Sequence, residues 1–173
     1  MATRKILTEP DPFLRQISYK VNKVDDEVRK LMEDMLDTMY EAPGIGLAAI
    51  QIGVPKRIIV IDLSKEEEKK PLYFVNPEII VKSKNNSTYE EGCLSVPGQF
   101  AEIDRPNECH VRYLDYNGQK KDLKAEGLLA TCIQHEMDHL EGILFIDYLS
   151  KLKKNYIVKK LSKQKKVLER IVV

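Results

Sequence analysis

The sequence predicts an α+β fold, with antiparallel β-sheets packed around a central helix, an amphipathic helix near the N-terminus and a further helix at the C-terminus. Three observations predict it. Short β-branched runs follow one another without the βαβ rhythm of a parallel sheet. Asn117 and Gly118 separate two alternating runs, a strong short-range hairpin signal. From Gly127 the apolar spacing changes from strand period to helix period.

Asp25 to Tyr40 carries Val28, Leu31, Met32, Met35, Leu36 and Met39 at i, i+3, i+4, i+7 spacing, with Asp25 or Asp26 placed to cap the helix. Arg57 to Leu63 and Tyr73 to Val81 read as strands separated by the charged cluster Lys65 to Lys70. Pro77 demotes part of the second to an edge or a bulge. Glu108 to Tyr116 and Gln119 to Ala125 form the predicted hairpin, which places Cys109 and His110 on opposite faces. Leu128, Leu129, Cys132, Ile133, Glu136, Met137 and Leu140 suit a mostly buried helix ending near Gly142. A last helix is expected from about Leu149 to Arg170, with Leu152, Tyr156, Ile157, Leu161, Val167 and Leu168 as a partial apolar stripe.

The 173 residues are one ordinary domain long, expected as a catalytic body over residues 1–148 and a basic helix over 149–173 within the same domain. With 43% hydrophobic and 32% charged residues, the composition excludes a disordered chain, and no apolar run approaches a membrane span. The net charge of +1 is a cancellation. Residues 151–173 hold nine Lys or Arg against Glu169 alone, a balance of +8, which leaves −7 for the other 150 residues. Three cysteines without a CxxC pair fit a reducing compartment. The N-terminus offers no apolar run of signal-peptide length, so a cytoplasmic location is expected, with no membrane and no specific DNA as partner.

Gln134 to His139 reads QHEMDH, an HExxH on a predicted helix. His135 and His139 lie one turn apart and can reach one metal ion, and Glu136 between them can take a proton from metal-bound water. A hydrolytic metal has three protein ligands and an open position, so a third ligand is required. No histidine follows His139, and the later glutamates are Glu141, immediately adjacent, and Glu169, in the basic tail. The third ligand is therefore expected upstream, among Cys93, Cys109, His110, Cys132 and the carboxylates.

Cys132 shares the helical stripe of the two histidines, but three ligands from successive turns of one straight helix are too spread out to converge on one tetrahedral ion. Cys93 stands in EEGCLSVPG, where Gly92 permits close backbone approach and Pro97-Gly98 marks a turn. A thiolate with two imidazoles suits Zn or Fe(II). Spacing favours Cys93 and leaves the other candidates open. Gly44 to Gln51, GIGLAAIQ, lacks the third glycine and the Lys-Ser/Thr of a phosphate loop, and its small residues are read as backbone passing close to a ligand or a helix.

Together, GIGLAAIQ, EGCLS (Glu91 to Ser95) and QHEMDH, in this order, resemble the peptide deformylase family. The resemblance spans nearly the whole chain. It implies that Cys93, His135 and His139 bind one divalent metal ion, typically Fe(II) with Zn, Ni or Co as substitutes, and that Glu136 is general base and acid. It further implies that Gln51 and the backbone N–H of Leu94 stabilise the oxyanion, and that the reaction removes the formyl group from N-formylmethionyl nascent peptides as formate. Ile45, Leu128 and Cys132 match positions lining the methionine pocket, and Gly46 and Glu91 match further substrate-binding positions. Tyr89, Thr131 and Phe100 depart from residues common in close relatives, which bears on peptide preference. In bacterial members the basic C-terminal helix is associated with the ribosome, and phosphate attraction gives a physical reason. A bacterial cytoplasmic protein is expected, with organellar or phage origin as alternatives.

Two rival readings remain at this level. A small HExxH metallopeptidase would cut internal peptide bonds, and the missing downstream ligand argues against it. A non-catalytic module docking on RNA through its tail would need no metal and leaves Glu136 without a use.

Overall fold

The computed structural model describes residues 2–171. Helix α1 (Asp26–Glu41) begins where Asp25, in extended conformation, accepts a hydrogen bond from the Val28 N–H at 2.9 Å. Such a cap contributes about 1 kcal/mol. Strands β1 (Gly46–Ala48), β2 (Ile58–Ile61), β3 (Leu72–Lys82), β6 (Glu108–Leu114) and β7 (Lys120–Glu126) form one antiparallel sheet in the order β1-β2-β3-β6-β7. Helix α2 (Gly127–Leu140) follows β7, and α3 (Lys151–Ile171) closes the described chain.

Strand β2 shows why its four residues are all β-branched and all buried. Ile58 and Val60 pack with Val28, Met32, Met35 and Met39 of α1, whereas Ile59 and Ile61 pack with Ala130, Ile133 and Leu140 of α2. Alternate side chains of one strand thus serve two helices on opposite faces of the sheet. Pro77 lies where the β3–β6 register shifts between Val75 and Glu78, beside Asn76 at φ 50°, so the proline falls at the expected bulge. In the β6–β7 hairpin, Gly118 takes the left-handed conformation at φ 79° while Asp115 accepts from the backbone N–H groups of Asn117 and Gln119.

The segment before the metal motif departs from the sequence expectation. Residues Asn86–Cys93 and Val96–Pro106 form a second, two-stranded antiparallel sheet, β4 and β5. The turn lies at Leu94-Ser95, while Pro97 and Gly98 sit inside β5, where the register shifts between Gly92 and Cys93. Gly98 takes φ 73° there, so the Pro-Gly pair builds a bulge and not the turn its residue types suggested. This small sheet packs against a cluster containing Val96, Ile103, Phe145 and Ile146. Helix α2 lies between the two sheets, which accounts for its apolar residues on several faces.

The C-terminal helix is less apolar in its packing than its sequence stripe suggested. Ile157 and Leu161 are buried against the body, whereas Leu152, Tyr156, Val167 and Leu168 are exposed. The remainder of the helix is dominated by solvated lysines. No helix among the described residues is long and apolar enough to cross a membrane.

Candidate metal centre and catalytic cavity

Three chain segments meet at α2. The first is β1 with the 3-10 turn Ala49–Ile52 that follows it, the second is the end of β4 with its Leu94-Ser95 turn, and the third is the middle of α2 itself. The N-terminal stretch ties the first two together: the Leu7 N–H donates to the Gln51 carbonyl at 2.7 Å, and the Glu9 N–H to the Ser95 carbonyl at 2.8 Å. Gln134 fixes α2 against β5, donating from Nε2 to the Pro106 carbonyl at 2.8 Å.

The ligand atoms of Cys93, His135 and His139 all lie within 4.8 Å of one another. Adjacent ligands of a tetrahedral Zn or Fe site stand about 3.5 Å apart, so this cluster needs little adjustment to hold a divalent cation. His139 Nε2 is 3.4 Å from Cys93 Sγ, and His135 Nδ1 is 2.8 Å from Glu91 Oε1, which leaves Nε2 of His135 as its ligand atom. The buried Glu136 Oε2 has no hydrogen-bond partner among the described residues, as expected beside a site for an ion and water. Cys132 lies outside the cluster, and Cys109 is buried in the sheet core while His110 faces Asp122 on the opposite side of β6.

Burial works differently on Glu136, His139 and His135 of α2. It pushes the Glu136 carboxyl up to about 7, with Glu91 adding to the effect and His135 opposing it. It holds His139 well below the ordinary imidazole value, and the positive neighbours act in the same direction. For His135 burial also acts downward, but the Cys93 sulfur and the Glu91 carboxylate prevail and raise it well above the ordinary value. A cation must displace that proton, so metal uptake at this centre is coupled to proton release.

Behind the ligands lies an ion-pair network that sequence reading missed. Glu91, expected along the bound peptide, has its carboxylate taken up by Arg105 (Nε to Oε2 2.6 Å, Nη2 to Oε1 3.0 Å) and by His135. Arg105 is buried and also donates from Nη1 to Asp138 at 2.9 Å, and the Tyr148 hydroxyl donates to the same Asp138 oxygen at 2.7 Å. Glu91 therefore orients a ligand, as partners behind metal-bound histidines do. The only cue in the sequence was Arg105 as the lone cation of the 11-residue β5, and a cue of that kind names no partner.

The cluster opens into a cavity of about 460 Å³ lined by Ile45, Gly46, Gln51, Leu94, Leu128, Cys132 and Glu136, among others. Gln51 is buried and its amide is fixed: Oε1 accepts from the Ala48 N–H at 2.9 Å, Nε2 donates to Ser95 Oγ at 3.0 Å, and the same Nε2 lies 3.6 Å from Cys93 Sγ. Leu94 sits in the turn beside Cys93, its side chain closing on Gly44. Ile45 and Leu128 expose apolar surface to the cavity, and Tyr89 and Thr131 also line it. Burial pushes the Cys132 thiol up to about 12, so it stays a neutral, apolar part of the wall.

Comparison with known proteins agrees with this architecture. The family model described as polypeptide deformylase matches residues 3–155. A peptide deformylase of Pelagibacter ubique is 72% identical over 176 aligned residues that cover all of both chains. Among solved structures, a peptide deformylase from Ehrlichia chaffeensis superposes with a TM-score of 0.91 at 43% identity, covering 96% of this chain and 98% of that one. The Ehrlichia chaffeensis enzyme in complex with actinonin gives the same TM-score at 46% identity, covering 95% and 98%. A divalent-metal centre of one thiolate and two imidazoles, reached from this cavity and matched by relatives along the whole chain, places the chain in the polypeptide deformylase family.

Proposed function

We propose that the chain hydrolyses the N-terminal formyl group of formylmethionyl polypeptides, releasing formate, with Cys93, His135 and His139 as metal ligands and Glu136 as general base and acid. The convergence of the three ligand atoms beside the unpartnered Glu136 carboxylate carries this reading. The Cys-His-His donor set suits Fe(II), and accepts Zn, Ni or Co as substitutes. When bound, the cation supplies Lewis acidity, drawing the pKa of a water toward about 7 and polarising the formyl oxygen.

Glu136, buried beside the three ligands, takes the proton of the attacking water as general base. It then delivers that proton to the methionine nitrogen as the C–N bond breaks, so formate and a free amino terminus leave together. Gln51 has one amide hydrogen engaged by Ser95, and its second is directed to the Cys93 side, where the formyl oxygen gains charge. With the Leu94 N–H it forms a preorganised pair of donors, and removing one such donor costs roughly a hundredfold or more in turnover. Ile45, Leu128 and Cys132 exclude water and hold the methionine side chain. Gly46 brings β1 close enough to the catalytic carboxylate to frame the site.

Iron-loaded protein prepared without oxygen should release formate from formyl-Met-Ala-Ser and leave an internal peptide-bond control intact. Absence of formate, or equal release by Glu136→Ala, would overturn the assignment. The chain is further proposed to work in the bacterial cytoplasm on nascent chains, with the basic α3 docking on the ribosome. Lys163, Lys165 and Lys166 are exposed beyond the buried Ile157 and Leu161. Their replacement by Glu should weaken salt-sensitive co-sedimentation with ribosomes while hydrolysis of free peptide persists, and unchanged co-sedimentation would reject the docking role.

A further inference from the structure

Phe100 is a cavity residue that the reaction leaves unused. It stands opposite Gly92 in the β4–β5 register, and because Gly92 has no side chain the ring lies across that strand: a Cβ on Gly92 would fall 2.5 Å from its Cε1. The ring is 65% exposed and lines two spaces at once, the catalytic cavity and a groove of about 840 Å³ between β5 and α3. The helix side of that groove carries Leu152 and Tyr156, an i, i+4 pair left 83% and 67% exposed, while the neighbouring pair Ile157 and Leu161 supplies the packing onto the body. Folding gives no reason for this contiguous apolar surface on a lysine-rich helix, and surface of that kind marks an interaction site.

The geometry of the reaction supplies the occupant. A cavity of about 460 Å³ is the size of a small-ligand site, so a polypeptide whose first residue is held there must leave it within a few residues. Phe100 is the rim residue shared by the cavity and the groove. The groove also contains Lys153 and Glu102, one charge of each sign, so its recognition rests on apolar contact. We propose that the groove between β5 and α3, entered over Phe100, receives apolar side chains of the substrate polypeptide a few residues beyond its formylated methionine. This rests on the deformylase reading and extends it to the downstream sequence of the substrate.

The test compares kcat/KM for formyl-Met-Ala-Ser-Leu-Phe-Ser with that for formyl-Met-Ala-Ser-Ser-Ser-Ser, with formyl-Met-Ala-Ser as the short reference. The apolar peptide should be favoured by about tenfold, the discrimination typical of one apolar subsite. That ratio should fall toward one in the double variant Leu152→Ser/Tyr156→Ser, and should persist in Leu168→Ser, an exposed position on the same helix outside the groove. A ratio near one in the unaltered protein, or one that survives the double substitution, overturns the groove as a substrate track. A concentration-dependent dimer lost in the double variant with the ratio intact would assign the groove to a second copy and overturn the proposal equally. Formate from none of the three peptides would instead remove the deformylase reading beneath it.

Discussion

A Cβ placed on Gly46 would lie 2.6 Å from Oε1 of Glu136, so the Glu136 carboxylate occupies the space that a side chain on β1 would need. The close approach explains why a small residue stands at this point of the first motif, and it ties β1 to α2 at Glu136. Gly46→Ala should therefore push Glu136 aside and leave the three ligands in place. Displacement by about 1 Å can cost a hundredfold, so kcat should fall by about that factor while bound metal, measured per chain, stays near one equivalent. Unchanged kcat would show that Glu136 tolerates displacement.

The ligand assignment separates two buried or half-buried thiols. Cys93→Ala should lose its metal and with it formate release, whereas Cys132→Ala should keep the metal, because only Cys93 joins the two histidines. Elemental analysis of the purified variants distinguishes them, and the opposite pattern would overturn the donor set. Dialysis of the unaltered protein against a chelator should likewise abolish hydrolysis until a divalent cation is restored.

The Glu91–Arg105 pair makes a prediction about metal retention. Glu91→Gln should weaken metal binding about 10- to 100-fold in a chelator competition, the usual cost of losing the partner behind a histidine ligand. Arg105→Met should cost more in folding, about 3–5 kcal/mol, because it takes the guanidinium away from the buried Glu91 carboxylate and leaves it His135 alone. Equal metal affinity in Glu91→Gln would show that His135 is oriented by packing alone.

Phe145 stacks on His135 with ring centroids 6.2 Å apart and is 1% exposed. Phe145→Ala should destabilise the protein by about 3–5 kcal/mol in denaturant titration, the usual range for emptying an aromatic core site. A loss below about 1 kcal/mol would mean that the cluster under α3 collapses readily around the gap.

One pH dependence follows from the N-terminal anchor. The Arg4 guanidinium lies 2.7 Å from Asp34, and its hydrogen bonds hold the Asp34 carboxyl below the ordinary carboxylate value, although burial opposes them. A depressed folded-state pKa contributes stability above the unfolded value of about 3.9 and loses it as pH falls through the folded value. The Tm difference between the unaltered protein and Asp34→Asn should therefore be full near neutrality and close progressively below about pH 4. A difference that stays constant to pH 3 would contradict the pairing.

Much of this molecule was legible in residue order. HExxH specifies its own geometry, since residues four apart on a helix share a face, and α1 and the β6–β7 hairpin are written in apolar period and turn chemistry. The three ordered motifs carried the family. The β4–β5 sheet was harder to read: its strands carry Glu90, Glu91, Glu102, Asp104 and Arg105 among their residues, and Pro97-Gly98 imitates a turn. Glu91 and Arg105 belong to a buried ion-pair network and Glu90 lines the cavity, and neither arrangement leaves a periodic trace.

Chemical identity is local, so the candidate ligand types, the glutamate beside them and the helix bearing the two histidines could be named from the chain alone. Convergence is not local. That Cys93 and not Cys132 meets the two histidines, that Glu91 spends its charge on Arg105 and His135, and that Phe100 reaches over Gly92 to join the cavity to α3 all depend on distances between residues remote in sequence. Those distances follow from packing two sheets about one helix, and side-chain shape and burial choose the partners there more strongly than any spacing along the chain.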